Sequence, residues 1–91
     1  MLDKIENDEA VVICKKAIDT WGPAIQQVVA MEEMGELIQA ISKSIRCKTN
    51  NVEEEIADVE IMLMQLRLIF NSQKVDEIKQ AKLNRLKELV W

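Results

Sequence analysis

The sequence predicts an all-α domain, a four-helix, bundle-like unit spanning residues 1–91. Three observations carry that prediction. The chain has only two glycines and one proline, so few positions interrupt a helix. Apolar residues recur at spacings of three and four, and no stretch alternates apolar with polar residues as a half-buried strand does. Hydrophobic residues make up 48% of the chain and charged residues 31%, a balance typical of a folded helical protein rather than a disordered one.

The first helix is expected over about 8–20, where "DEAVVICKKAID" repeats Val11, Val12 and Ala17 or Ile18 at helical spacing. "TWGPAIQ" is the clearest break, and Pro23 suits the first position of a second helix running over about 23–46. "CKTNN" is polar and turn-forming. There Asn51, followed three residues later by Glu54, approximates a capping box for a third helix over about 52–70. "NSQK" interrupts the pattern again, and Val75, Ile78, Leu86 and Leu89 lie along one side of a fourth helix over about 74–89.

Composition excludes several function classes. The apolar run "IMLMQLRLIF" is interrupted by Gln65 and Arg67 and is far shorter than the roughly 20 residues that span a bilayer, so no membrane segment is expected. The N-terminus is acidic and lacks the pattern of a secretory signal, which points to the cytoplasm. A net charge of −4 disfavours a nucleic-acid polymer as partner. Cys14 and Cys47 stand alone and histidine is absent, so neither a zinc site nor a Glu-x-x-His di-iron site is available.

Carboxylates stand where apolar residues are expected. At 100° per residue, Glu32 and Glu36 fall close to Ile25, Val29 and Ala40, with Glu33 on the shoulder. The third helix has a main stripe of Val52, Ile56, Val59, Leu63, Leu66 and Phe70, with Glu55 and Asp58 one turn apart on its flank. Two acidic pairs at i, i+3 on neighbouring helices bring oxygen donors together, and ionised acids facing an interior need a counter-charge. All-oxygen ligation selects a hard cation, Mg²⁺ first and Mn²⁺ second, and Mg²⁺ shares its coordination with substrate phosphates. Cations for those phosphates are available in Lys79 and Lys82 within the apolar arc of the fourth helix, in Arg85 bordering it, and in Lys43, two turns beyond Glu36. The plainer alternative is that the acids solvate one helix face and the lysine stems reach past the apolar edge into water.

"EEMGEL" followed by "EEIADV" resembles the ExxE and ExxD pair of MazG-like nucleotide pyrophosphohydrolases, the all-α NTP pyrophosphatases, and the likeness runs from about Trp21 to the C-terminus. The resemblance implies hydrolysis of a nucleoside triphosphate to the monophosphate and pyrophosphate. It implies Glu33, Glu36, Glu55 and Asp58 as Mg²⁺ ligands and Glu32 as the residue that orients or deprotonates the attacking water. "KQAKLNRLK" is similar to the basic-and-Asn signature of the family's last helix, which makes Lys82 and Arg85 the phosphate contacts, with Lys79, Asn84 and Lys87 fitting the same signature. Trp21 is a candidate for stacking on a base, although an aromatic at a helix junction more often plugs a core.

Assembly is expected from surplus apolar surface. Ala57, Ile61, Met64 and Leu68 form a second arc on the third helix, and Met31, Met34, Ile38 and Ile41 one on the second. Four short helices do not cover both, so a homodimer or homotetramer is the expected state. A helical interaction protein, or a relative that binds nucleotide without cleaving it, is the alternative function.

Overall fold

The computed structural model describes residues 4–47 and 51–91, and the turn expected at 48–50 lies outside them. Four helices follow one another: α1 (Asn7–Trp21), α2 (Pro23–Cys47), α3 (Val52–Ile69) and α4 (Ser72–Val90). The described residues contain no strand. Each helix ends within two residues of its expected boundary. Among the described residues no helix is long and apolar enough to cross a membrane.

The junctions follow from local chemistry. Gly22 sits at φ 91°, a conformation that strains any residue with a Cβ, and its N–H donates to the Ile18 carbonyl at 2.7 Å to close α1. Pro23 then opens α2 with no N–H to leave unpaired. At the other break Phe70 is extended, its N–H donating to Leu66, and the Asn71 side chain accepts from the Lys74 N–H at 3.0 Å. This cap starts α4 two residues earlier than apolar spacing alone indicates. Asn51 departs from the expected capping box: its side chain accepts no bond from the first turn of α3.

Helices α1, α2 and α3 pack together, with α2 against α3 the most extensive contact, and α4 meets only α3. The Arg67 guanidinium fastens that contact by donating to Asp76 Oδ1 at 2.7 Å and to Ser72 Oγ at 3.1 Å. No residue of α4 is buried.

The packed centre is narrow. Its buried residues are Cys14, Ala30, Ala40, Val59 and Met62, together with Gln26, Glu55 and Gln65. The buried face of α2 therefore follows Gln26, Ala30, Glu33, Leu37 and Ala40, not the expected line through Ile25, Glu32 and Glu36. On α3 it follows Glu55, Val59, Met62 and Gln65, while Ile56, Leu63 and Phe70 of the expected main stripe are exposed. Both helices carry apolar residues on nearly every side, so spacing supplies no inward direction; the faces that meet are those joined by the buried Gln26–Gln65 bond, with Ala30 and Ala40 on α2 and Val59 and Met62 on α3.

That leaves the protomer unusually open. Its accessible surface of 7686 Å² exceeds by roughly 2,200 Å² what a compact monomer of its mass presents. The radius of gyration, 15.7 Å, likewise exceeds the roughly 12 Å of a compact chain this long. Ile61, Met31, Ile38 and Ile41 of the second arcs are all exposed.

Candidate metal centre

Helices α2 and α3 run antiparallel, and a buried amide pair fixes their register. Gln26 Nε2 donates to Gln65 Oε1 at 2.7 Å, with both residues 5% exposed. Glu33 follows Gln26 by seven residues and Asp58 precedes Gln65 by seven, two helical turns in each case. The amide pair and the acids therefore lie on the same two facing stripes. Three residues further on, Glu36 and Glu55 are opposed in the same way.

The carboxylates converge as that register demands. One oxygen each from Glu33, Glu55 and Asp58 lie within 4.8 Å of one another. Glu55 is 8% exposed and Glu33 and Asp58 are half-buried. Glu36 is exposed, on the solvent side of the same group, and its carboxylate acts on both Glu33 and Glu55.

Burial and mutual repulsion leave this group short of positive charge. Glu33 is pushed above the ordinary carboxylate range first by burial, then by the charges of Glu36 and Asp58. Glu55 is raised by burial and the same two neighbours, then by Glu54. In each, Oε2 is buried and meets no hydrogen-bond donor. A buried carboxylate oxygen without a donor is costly, and several aimed at one point are the oxygen set that a hard divalent cation satisfies.

The remaining candidate residues fall into two groups. Lys43 borders a polar cleft of about 270 Å³ beside the acids, lined also by Glu36, Gln39, Ala40, Asn51 and Glu55. Glu32 is exposed, next in the chain to Glu33 but outside the converging oxygens. Lys79, Lys82 and Arg85 lie outside both the acid cluster and the cleft beside it, and α4 meets only α3, where Arg67 bonds Ser72 and Asp76. Lys79 and Lys82 do share a groove with Val75, Ile78 and Leu86 of the expected arc and with Leu83, while Leu89 lies outside it, and the groove faces outward. Trp21 is no core plug: it is exposed, on a groove of α1 with Val12 and Ile13.

Two features escaped the sequence reading. The Gln26 and Gln65 pair carried a signal, since each amide stands two turns from an acid on its own helix. Asn51 has the spacing of a cap, but its Nδ2 donates to Glu55 Oε1 at a long 3.4 Å. Compared with known proteins, the chain matches no family model, no curated protein and no solved structure.

Proposed function

We propose that this chain is a Mg²⁺-dependent nucleoside triphosphate pyrophosphohydrolase that cleaves a (d)NTP to the (d)NMP and pyrophosphate. One observation supports it above the others: acids of two helices meet with buried oxygens that no protein donor serves. A solvated acidic face has no such oxygens, since water reaches every carboxylate on it.

In this reading Glu33, Glu36, Glu55 and Asp58 hold the cation, and Mn²⁺ substitutes for it. The cation supplies charge neutralisation on the phosphates and a lowered pKa for a bound water. Glu32, on the exposed side, orients or deprotonates the water whose oxygen bonds to the α-phosphorus as the bond to the α,β-bridging oxygen breaks. Lys43 lies beside the acids and faces phosphate oxygens from the cleft.

Lys79, Lys82 and Arg85 reach the phosphates from a second copy of the chain. The roughly 2,200 Å² of surplus surface supports a homodimer or homotetramer, since obligate interfaces bury 2,000–5,000 Å² counted over both partners. An α4 with no buried residue also suits an assembly protein without catalysis, which is the alternative reading.

Two measurements decide. A panel of canonical and modified dNTPs with Mg²⁺, read by pyrophosphate release, is expected to yield at least one substrate. A thermal melt with Mg²⁺ at a hundred times its Kd is expected to rise by about 10–20 °C for a domain of this size. No release and no shift would overturn the proposal; a shift without release would leave a metal-binding protein that does not cleave the nucleotides tried.

A further inference from the structure

Asn51 stands at the N-terminal boundary of α3, where asparagine ordinarily turns its side-chain oxygen onto the first-turn N–H groups. It does not do so here: the residue has φ −124° and ψ 24° and no side-chain cap bond. Its backbone carbonyl accepts from the Glu55 N–H at 3.2 Å, and its side-chain Nδ2 donates to Glu55 Oε1 at 3.4 Å. Two bonds therefore tie Asn51 to the most buried acid of the cluster. The amide must present its nitrogen, because its oxygen would repel the carboxylate.

The two oxygens of Glu55 are thereby made unequal. Oε1 has a donor, while Oε2 is buried without one. We propose that Asn51 is a positioning residue that holds Glu55 Oε1 and so directs Oε2 at the cation formed with Glu33 and Asp58. This rests on the metal reading above and adds a residue that the acidic motifs do not contain. Partners of this kind, one bond behind a ligand, set its rotamer and tune metal affinity. Asn51 also lines the cleft with Lys43 and Gln39, so it has the room to follow Glu55 when a cation draws the carboxylate inward.

The test separates this role from helix capping. Serine is a favoured capping residue but too short to reach Glu55 Oε1, so Asn51→Ser removes the bond to Glu55 and offers the first turn of α3 a cap that Asn51 does not supply. Mn²⁺ affinity of the full chain, read by the electron paramagnetic resonance signal of free Mn²⁺, is expected to fall about tenfold in Asn51→Ser. The metal-free melting temperature is expected to stay at the wild-type value or above it. Asn51→Ala is expected to lose Mn²⁺ affinity equally and to melt below Asn51→Ser, which can cap the helix. Wild-type Mn²⁺ affinity in Asn51→Ser would overturn the positioning role while leaving the metal centre standing. A wild-type chain that binds no Mn²⁺ would instead remove the metal centre and the positioning role with it.

Discussion

Replacing Gln65 with leucine removes the acceptor that Gln26 uses, without a large change of volume. Both amides are 5% exposed and joined at 2.7 Å, so water does not take the vacated place. Leaving one buried amide donor unpaired costs about 1–3 kcal/mol. At about 4–8 °C per kcal/mol for a domain of this size, a 2 kcal/mol loss is a fall of roughly 8–16 °C in Tm. Gln26→Leu with Gln65→Leu removes both halves of the bond, and that double variant should recover most of the loss, because apolar groups of similar shape replace two polar ones. Urea unfolding at fixed protein concentration of the wild type, both single variants and the double variant yields the coupling, expected at about 1–3 kcal/mol. The recovered double variant should still bind Mn²⁺ more weakly, since leucines pack without the directional bond that fixes how α2 and α3 align. Additive losses in the cycle would refute the account of the pair, and unchanged Mn²⁺ affinity in the double variant would refute its link to the acids.

Three further outcomes follow from the cluster and the open faces. Glu33 and Glu55 have folded-state pKa values above the ordinary 4.5, so their contribution is fully present below that value and is lost as pH rises through the raised ones. Metal-free protein should therefore melt higher at pH 5 than at pH 7, with the difference reduced in Glu33→Gln/Glu55→Gln, and the rise in Tm given by Mg²⁺ should shrink on acidification. An identical pH slope in that variant would count against the cluster as its source. Glu36→Gln and Asp58→Asn should each abolish pyrophosphate release while circular dichroism stays helical; near wild-type turnover at saturating Mg²⁺ would remove that residue from the ligand set. Ile61→Glu puts a charge on the exposed second apolar arc of α3, and light scattering should show dissociation together with loss of activity; a stable, active wild-type monomer at micromolar concentration would contradict this.

The helices were legible in the sequence because their ends are chemical. Gly22 with Pro23, and Asn71 with its cap, break the chain wherever the helices sit. The acidic pairs were legible for a similar reason, since i, i+3 spacing puts two carboxylates on one face whatever that face meets. Which face turned inward was not legible. Helices α2 and α3 have apolar residues on nearly every side, so spacing supplies a period without a direction. Of the larger apolar side chains expected inside, Val59 is buried but Ile25, Ile56, Leu63 and Phe70 are exposed, while Ala30, Ala40, Gln26 and Gln65 join Met62 and Glu55 among the buried residues. Size is a guide to the interior when a chain folds around its own core, and a poor one when much of its apolar surface stays outside.

The alanines of α2 bear on which ion the centre would accept. Ala30 and Ala40, at 1% and 3% exposed, flank Glu33 and Glu36 along the helix, and Ala40 lies in the cleft beside Asn51 and Glu55. Side chains this short make the gap between the two helices a gauge. Mg²⁺ and Mn²⁺ demand short bonds to oxygen, about 2.0–2.1 Å for Mg²⁺, while Ca²⁺ wants 2.3–2.6 Å and more ligands. A methyl group outside the ligand set would thus help choose the ion: enlarging either alanine would spread α2 and α3, carry their carboxylates apart, and retune the centre toward bigger cations.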